Sequence, residues 1–410
     1  MENLKNQIHS DFTIIDFEEW KKAAQSTLKN QNIDEVLHKK ISSSISINSI
    51  YSREQVRKYF DLSFPAKLES THTISLSDWT ESQCESDLEV ATLLHSINKD
   101  IKNQSIDLLI DPNFFLSIAK FRAVRYLLEE LGRNDITIIA KSSIHNKSYS
   151  DIENNLIRLT TEAMSAIIGG ADKIDLTPYN SKRQNDEFGK RITNNILILL
   201  EEESYLSKVK DPLSGSFLVE ELTSEFVNSV NAILKKFDDI GSEDELKEYV
   251  LSACKEYQNQ QQMLLDKQKK KIIGVNIFQN KKDNLQNIVH GNFTNIDEFE
   301  KRKSIIDNYN MKVYIANFEE NSINQPSLVM AMNTYNIQFQ ISGVFELVED
   351  AYNTIKLYNP DIIILNGNSD VERILKSMLD TYKVVNIREF SNNSILKNID
   401  TLINNIEGKE

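Results

Sequence analysis

Residues 135–176 have the sequence DITIIAKSSIHNKSYSDIENNLIRLTTEAMSAIIGGADKIDL, which contains the pattern of a strand, a helix and a second strand. The apolar runs DITIIA at 135–140 and KIDL at 173–176 predict the two strands. Between them, SDIE at 150–153 has the form of a capping box and predicts the start of a helix. The glycine pair at 169–170 predicts its end. The buried face of this helix is expected to be apolar at helical spacing: Ile152, Leu156, Leu159, Ala163 and Ile167.

Strand and helix signals alternate on both sides of this stretch. Before it, strands are predicted at 71–76 (THTISL) and 106–110 (IDLLI), and a helix at 114–131 that ends at Gly132. The C-terminal part has a second set of strands, with helices between them and a final helix at 394–406: KVYIAN at 312–317, QFQISGV at 338–344, DIIIL at 361–365 and KVVNI at 383–387. Repeated strand–helix units predict an α/β fold with parallel strands. The second set predicts a doubly wound open sheet.

Composition changes along the chain predict the domain boundaries. Residues 1–70 are polar and include one candidate amphipathic helix at 16–28 and an alternating segment at 41–50, which is either a strand or an exposed extended segment. We expect this part to be an extension that contacts a partner. A Gln- and Lys-rich helix is predicted at 255–271. The expected domains are 71–279 and 311–410, joined by a linker at 280–310 that shows no sustained pattern.

Composition and charge exclude several classes of protein. The chain has 410 residues, a net charge of -14 and only 2 cysteines, which are too few for a disulfide-rich scaffold or a four-thiolate metal site. An acidic surface argues against nucleic acid as a partner. Glycine-rich phosphate loops are absent from the sequence. With no signal peptide and no apolar run of membrane length, we expect a cytoplasmic protein that does not associate with membranes.

The residues by themselves do not form a catalytic constellation. None of the 6 histidines has the spacing of a metal-binding pair. His145 follows a predicted strand, where barrel enzymes place catalytic groups, and is either such a group or a polar loop residue. Acidic runs such as 201–203 and 319–320 are typical of solvated helix ends. Ser214 and Ser216 flank Gly215 without the G-x-S-x-G context of a serine nucleophile.

Five segments together resemble one known family. They are NFFLSIAKFRAVRYL at 113–127, NNLIRLTTEAMSAIIGGADKIDLTPYN at 154–180, RITNNILILLEEE at 191–203, DPLSGSFLVEELT at 211–223 and KKIIGVNIF at 270–278. Their order and spacing are similar to those of methylmalonyl-CoA mutases. The resemblance implies a TIM-type parallel barrel followed by a flavodoxin-like, cobalamin-binding sheet.

The chain departs from this family at several places. In the family, the histidine of D-x-H-x-x-G binds cobalt, whereas residues 317–324 here are NFEENSIN, with neither histidine nor glycine. In the region of Asn321, which takes the place of that histidine, an asparagine amide is a much poorer donor than imidazole. Only residues 77–112 separate the first strand from the FF-x-x-I-A-K helix, so about four strand–helix units replace eight. The resemblance therefore implies an eroded or incomplete barrel and a cobalamin-domain-like sheet without its axial histidine.

These departures are similar to those of the small, non-catalytic subunit of a heterodimeric methylmalonyl-CoA mutase. The resemblance implies no cofactor or metal in this chain. It implies adenosylcobalamin in a larger catalytic partner subunit, and a complex that interconverts (R)-methylmalonyl-CoA and succinyl-CoA. The residues that match the family are expected to be structural: Asn155, Arg158, Glu162, Gly169, Gly170, Asp211, Gly215 and Ser216. Two alternatives stay open, which are a subunit that binds acyl-CoA and contributes to catalysis, and a flavodoxin-like module with an unrelated ligand.

Overall fold

The computed structural model describes residues 17–28, 72–80, 82–97, 101–102, 104–183, 186–280, 294–319, 326–390 and 394–408, with short pieces between residues 32 and 62. They belong to two compact units that are interleaved along the sequence. One unit comprises Met1–Ser142, Thr160–Leu176 and Asn195–Ala253. The other comprises Ser143–Leu159, Thr177–Asn194 and Cys254–Glu410. The domain boundaries expected near residues 70, 279 and 310 stay a prediction.

The N-terminal part contains one helix and one small strand pair. Helix α1 is Phe17–Thr27, which confirms the amphipathic helix. Strand β1, His38–Lys40, pairs antiparallel with β2, Ser46–Asn48, so a short strand lies within the alternating segment. Most other residues of 1–70 lie outside the described residues.

A four-stranded parallel sheet forms the centre of the first unit. Its strands are β3 (His72–Ser75), β4 (Gln104–Leu109), β5 (Thr137–Lys141) and β6 (Lys173–Asp175), in that spatial order. All four strands coincide with predicted segments. The helices between them are α2 (Ser86–His95), α3 (Phe114–Glu130) and α4 (Asn154–Gly169). The α/β class is therefore confirmed for this part of the chain.

The two faces of this sheet differ in polarity. Ile74, Ile106 and Ile138 are aligned across three strands and are buried on one face. The other face carries Thr73, Ser105 and Thr137 in the next aligned row. Parallel sheets usually have two apolar faces because helices cover both. A polar face is therefore a departure from the two apolar faces of most parallel sheets, and it can contact polar groups.

The start of α4 differs from the prediction. The capping box expected at 150–153 is wrong, because Asp151 has a left-handed backbone (φ 45°) and the helix begins at Asn154. The amides of Tyr149 and Ser150 donate instead to the carboxylate of Glu300, at 2.9 and 2.8 Å. A carboxylate from a distant part of the chain thus holds the loop that precedes the helix. The end of α4 is as expected, since Gly170 has φ 88°.

Three further α-helices follow the first sheet along the described chain before the helix at Asn295–Tyr309 begins. They are α5 (Glu187–Glu202), α6 (Phe217–Asp238) and α7 (Glu243–Asp266). Helix α6 packs against α2 and α3 and contributes buried Leu222, Phe226 and Val230 to the core. No described helix combines the length and apolar character needed to span a membrane.

The second unit contains the other parallel sheet. Its strands are β7 (Lys312–Asn317), β8 (Gln338–Val344), β9 (Ile362–Asn366) and β10 (Lys383–Asn386), and their spatial order is β8-β7-β9-β10. These positions confirm the predicted strands. The helices of this part are α8 (Asn295–Tyr309), α9 (Pro326–Thr334), α10 (Val348–Tyr358), α11 (Ser369–Met378) and α12 (Ile395–Glu407). Strands β7 and β9 are buried on both faces, which explains their continuous apolar sequences.

Helix α8 lies within the segment that the sequence assigned to a patternless linker. Thr294 and Asp297 form a reciprocal capping box at its start. Ile296, Phe299 and Ile306 are buried against the core of the second sheet. Their spacing of three and seven residues is helical, but the many polar residues between them masked the pattern.

Gly169 provides a test of how closely α4 approaches α3. A Cβ at this position would lie 2.9 Å from Cβ of Phe121 and 3.1 Å from the carbonyl oxygen of Ile118. We expect Gly169→Ala to lower the free energy of unfolding by about 1–2 kcal/mol in urea titrations, because overpacking outweighs the gain in helix propensity. Gly343→Ala, where a Cβ would meet nothing within 4 Å, is the control and should change stability little. Equal effects at both positions would contradict the close approach.

Candidate functional site

A buried guanidinium group joins two of the family-like segments in the first unit. Arg122 on α3 donates to both carboxylate oxygens of Asp211, from Nε at 2.8 Å and from Nη2 at 2.9 Å. It also donates to Glu220 at 3.0 Å and to Thr223 at 3.1 Å on α6. Burial lowers the pKa of Arg122, but these two carboxylates raise it more, so the group is charged.

The turn before α6 shapes the acidic side of this cluster. Asp211 and Gly215 have left-handed backbones, with φ of 42° and 81°. The Gly215 amide donates to Oε1 of Glu220 at 2.8 Å, and Ser216 is the N-cap residue of α6 without a side-chain cap. The Gly215 amide thus helps to hold Glu220 beside Arg122, and the turn places Asp211 within reach of the same guanidinium.

Two more buried ion pairs connect α3 to its neighbours. Lys120 lies 2.6 Å from Glu89 on α2 and donates to the carbonyl of Leu109 at the end of β4. Arg125 lies 2.8 Å from Asp172, next to the glycine pair that ends α4. The sequence analysis did not single out Lys120, Arg122 or Arg125, although the motif A-K-x-R-A-x-R within 113–127 contains all three.

A second polar cluster lies in the loop that precedes α4, in the second unit. Asn155 accepts hydrogen bonds from the Ser148 amide at 3.1 Å and from Arg158 at 2.7 Å, and it donates to the Ser148 carbonyl. Arg158 also donates to the carbonyl of Ile273 at 2.6 Å. These bonds join the family-like segments 154–180 and 270–278. Glu162, the other polar residue of α4 that was expected to be structural, is buried farther along the helix.

Gly274 is a point of close approach between the segment 270–278 and this loop. It has φ 81°, and a Cβ there would lie 2.8 Å from Cβ of Asp151. Glycine is required at this position by both the backbone conformation and the space. The sequence signal was the G-V-N motif itself, whose role becomes visible only in the packing.

His145 lies half-buried in the same loop. Burial and the nearby ammonium groups of Lys182 and Lys270 lower its pKa to about 4, against a smaller opposing effect of Asp297. Its imidazole forms no hydrogen bond with the described part of the chain. His145 is therefore neutral near pH 7 and cannot serve there as a general acid. No described carboxylate forms a hydrogen bond with the His145 imidazole, which is the contact that would orient it as a general base.

The carboxylate of Glu300 holds the loop from the other side. It is buried, and burial raises its pKa despite the hydrogen bonds from Ser150 and Tyr149. Lys182 forms an ion pair with Asp297 and lies 5.2 Å from the centroid of the Tyr149 ring. Glu300 and Lys182 therefore both contact the loop directly. Glu300 accepts from its two amides, and Lys182 lies over its Tyr149 ring.

The polar face of the first sheet is the other group of polar side chains that sequence analysis missed. Thr73 and Ser105 share a hydrogen bond of 2.8 Å, and Lys141 lies 2.5 Å from Asp107. These residues alternate with the apolar residues of the same strands, as the period of two requires. The signal was present in IDLLI and DITIIA, where Asp107 and Thr137 interrupt the apolar runs.

The crevice where a doubly wound sheet binds its ligand lies at the point where strand order reverses, between β7 and β9. Here the ends of the two strands are joined by Asn366, which donates to the side-chain oxygen of Asn317 at 3.2 Å. Asn317 also donates to the Ser342 carbonyl at 2.8 Å. The ring of Phe318 packs 5.7 Å from that of Phe345, against the core of the sheet. The amide groups at this edge are thus bonded to each other.

These residues do not fit a corrinoid cofactor. Residues 317–324 contain no imidazole to bind cobalt, and the side chain of Asn317 is committed to Ser342 and Asn366. The Asn321 region itself lies outside the described residues, which end at Glu319 and resume at Pro326. Among the described residues, no three histidine, cysteine or acidic side chains are grouped as a metal site would require.

The fold and these clusters define an α/β protein with two parallel sheets whose polar motifs tie its own segments together. Comparison with known proteins identifies the family. The model of methylmalonyl-CoA mutase matches residues 97–350, which is more than half of the chain. The chain belongs to the methylmalonyl-CoA mutase family.

Three relatives show how much of the family is present. The methylmalonyl-CoA mutase small subunit of Porphyromonas gingivalis is 36% identical over 143 residues, 32% of this chain and 23% of the relative. The methylmalonyl-CoA mutase of Escherichia coli is 32% identical over 181 residues, 41% of this chain and 25% of the relative. The probable mitochondrial methylmalonyl-CoA mutase of Caenorhabditis elegans is 30% identical over 182 residues, 41% of this chain and 24% of the relative. The chain thus spans about a quarter of the length of these relatives.

The Arg122 cluster predicts a large effect of a small change. Arg122→Lys retains the charge but loses the paired hydrogen bonds to Asp211, so we expect the free energy of unfolding to fall by about 3 kcal/mol in urea titrations. Arg373→Lys is the matched control, because its ion pair with Asp370 is 3.4 Å long and exposed. That variant should change stability by less than about 0.5 kcal/mol. Similar values for both variants would show that the buried pair is unimportant.

The lowered pKa of His145 predicts a dependence of stability on pH. Between pH 6.5 and 4 the unfolded chain binds a proton at this residue and the folded chain does not, so stability should fall with pH in this window. His145 should contribute at most about 3 kcal/mol to this loss of stability. The variant His145→Gln should lack that contribution. Burial raises the pKa of Asp266 to about 6, which acts in the opposite direction, but equally in both proteins. NMR titration of the His145 ring with a midpoint near 6.5 would contradict the prediction.

Proposed function

We propose that this chain is the small subunit of a heterodimeric, adenosylcobalamin-dependent methylmalonyl-CoA mutase. In this proposal the complex is an isomerase that interconverts methylmalonyl-CoA and succinyl-CoA in propionate metabolism. The larger partner subunit carries the cofactor and the chemistry, and this chain supports it structurally. The cytoplasmic location expected from the sequence goes with this proposal.

One observation carries the proposal: the polar residues that match the family are bonded to the chain's own segments. Asp211 is bonded to Arg122, Asn155 to Ser148, and Arg158 to the Ile273 carbonyl. A residue whose donors and acceptors are used in this way is suited to bracing the fold rather than to binding a substrate. The small subunit of P. gingivalis among the relatives supports the same assignment.

The finer architecture follows from the same proposal. We propose that β3–β6 with their helices are an eroded TIM-type barrel, because four parallel strands occur in order where a full barrel has eight. We propose that the second sheet is flavodoxin-like, because its order β8-β7-β9-β10 corresponds to the 2-1-3-4 part of that fold. The domain 311–410 then occupies the position of a cobalamin domain.

The absence of cofactor from this chain is part of the proposal. The cobalt-binding histidine is missing from the sequence of the loop after β7. The paired amides of Asn317 and Asn366 also occupy the strand ends where a doubly wound sheet opens toward its ligand. We therefore expect adenosylcobalamin in the partner subunit.

One observation favours the alternative that this chain binds acyl-CoA itself. The face with Thr73, Ser105 and Asp107 is polar, as the lining of a ligand-binding barrel can be. Equilibrium dialysis of the isolated chain with CoA tests this alternative directly. Stoichiometric binding that is lost in Asp107→Leu would favour it over a purely structural role.

The main experiment is co-expression of this chain with a longer mutase homologue that retains D-x-H-x-x-G. We expect a one-to-one complex whose cobalamin spectrum disappears when the longer chain loses that histidine. The isolated small chain should elute from gel filtration without cobalamin. Stoichiometric elution of cobalamin with the isolated chain would contradict the proposal.

His145→Ala separates a structural from a catalytic role. We expect the turnover of the complex to remain within a few fold of the wild type, because a neutral imidazole without an orienting partner supplies no acid–base chemistry. Arg122→Lys is the comparison, since it should reduce the yield and thermal stability of the complex. A hundredfold loss of turnover in His145→Ala, about 2.7 kcal/mol of barrier, with the complex intact, would show that this chain contributes chemistry.

A further inference from the structure

A cleft in the first unit lies beside β3, the strand at one edge of the parallel sheet. Its volume is about 580 Å³, which is typical of small-molecule sites in proteins. Ile74 of β3 is the aliphatic member of its lining. The other lining residues belong to the turn after this strand, the end of α2 and the first turns of α7: Asp78, Trp79, His95, Ser96, Glu243 and Lys247. We call this cavity the Trp79 cleft.

Two ring side chains of the Trp79 cleft are held in place by the protein itself. Nε1 of Trp79 donates to Oγ of Ser96 at 3.1 Å, and this hydroxyl donates to the Thr92 carbonyl at 2.8 Å. The His95 ring packs edge-on against the ring of buried Phe237, with 5.7 Å between their centroids. Because the indole N–H is already bonded, Trp79 offers a ligand its ring rather than a hydrogen-bond donor. These walls are therefore formed before any ligand binds.

The charged side chains of the Trp79 cleft are exposed and have no ionic partner among the described residues. Glu243 and Lys247 lie one helical turn apart on α7, a spacing at which such side chains can pair, but they form no ion pair in this structure. One carboxylate oxygen of Asp78 accepts from the Ser75 amide at 3.0 Å, which leaves the other oxygen for a ligand. The cleft thus presents two carboxylates and one ammonium group.

We propose that the Trp79 cleft binds a small organic cation, an amine or a guanidine with an apolar body. An ammonium or guanidinium group is attracted both by an indole ring and by carboxylates, and this cleft contains both. The apolar body of the ligand packs against Trp79 and Ile74. An anion would meet two carboxylates and only one ammonium group, so the charges favour a cation. The inference rests on the cleft alone and does not depend on the mutase role proposed above.

The exposure of the lining sets the expected strength of binding. Asp78, His95, Glu243 and Lys247 are all exposed, so the cleft is open to solvent and a bound ligand keeps part of its hydration. We therefore expect a dissociation constant in the submillimolar range for a ligand of about ten non-hydrogen atoms. Because exposed charges contribute, binding should be several-fold weaker at about 1 M than at about 0.1 M salt.

Three probes of similar shape test the preference for charge on the full chain. Phenethylamine is a cation, phenethyl alcohol is neutral and phenylpropionate is an anion. The chain has 2 tryptophans, so in the variant Trp20→Phe the fluorescence reports on Trp79 alone. We expect a saturable change with phenethylamine, at least tenfold weaker binding of the alcohol and no saturation with the anion. Saturation-transfer NMR of the wild-type chain measures the same binding without the Trp20 substitution.

Charge variants test whether these residues form the site. Glu243→Gln and Asp78→Asn each remove a negative charge, so phenethylamine should bind about three- to fivefold more weakly to each. Lys247→Gln removes a positive charge and should tighten binding about twofold. Asp244→Asn is the matched control, because Asp244 is exposed beside Glu243 but does not line the cleft, and this variant should bind like the wild type. Circular dichroism and thermal unfolding confirm that each variant is folded.

Three results would overturn the proposal. The first is that phenethylamine gives no saturable signal up to tens of millimolar, or binds no more tightly than the alcohol or the anion. The second is that Asp244→Asn weakens binding as much as Glu243→Gln, which would show that the acidic surface as a whole attracts the amine. The third is that all folded variants bind like the wild type, which would place the site elsewhere. None of these results bears on assembly with a longer mutase chain, so the two proposals fail separately.

Discussion

The buried guanidinium of Arg122 is the interaction on which the first unit depends. Two carboxylates, from Asp211 and Glu220, surround one positive charge, so the cluster would have an excess of buried negative charge. Backbone amides compensate it, because Gly215 donates to one oxygen of Glu220 and Phe60 to the other. The helix α3, the turn before α6 and part of the N-terminal segment are thus held by one group of hydrogen bonds. Removing one partner would leave the others charged and without solvent.

The loop before α4 shows the same principle with different groups. Asn155 satisfies the backbone of Ser148, and Glu300 accepts hydrogen bonds from the amides of Tyr149 and Ser150. These bonds come from segments far apart in sequence, so the loop conformation exists only in the folded protein. In such a loop His145 remains neutral, because burial and the neighbouring lysines oppose its protonation. A residue at the end of a parallel strand is therefore not catalytic by position alone.

The second sheet shows how side chains at neighbouring strand ends satisfy each other's hydrogen bonds. Strand order reverses between β7 and β9, as it does in folds that bind ligands at this point. In this chain the strand ends are joined by the amides of Asn317 and Asn366, and the aromatic rings of Phe318 and Phe345 pack beside them. Mutual hydrogen bonding satisfies both amides without a bound molecule. The strand order alone therefore does not decide what these strand ends contact.

The sequence alone determined the α/β class and the positions of the eight strands of the two parallel sheets. Strands such as 362–366 are recognisable because burial on both faces demands a continuous apolar run, which is a local signal. The family was also visible in the sequence, since motifs such as A-K-x-R-A-x-R keep their spacing. Helix α8 was missed because only three of its buried side chains are apolar, and the polar residues between them mask the helical spacing.

Only the tertiary structure decided which of the matched residues bond to each other. The partners of Arg122 lie 89 to 101 residues away in the chain, and Glu300 lies 150 residues from Ser150. A side chain's type tells what it can donate or accept, but its partner depends on how helices pack. The same holds for the pKa of His145, which burial in the folded protein lowers most and which distant charged groups such as Lys182 lower further. Local patterns thus determined the elements, and long-range packing decided their chemistry.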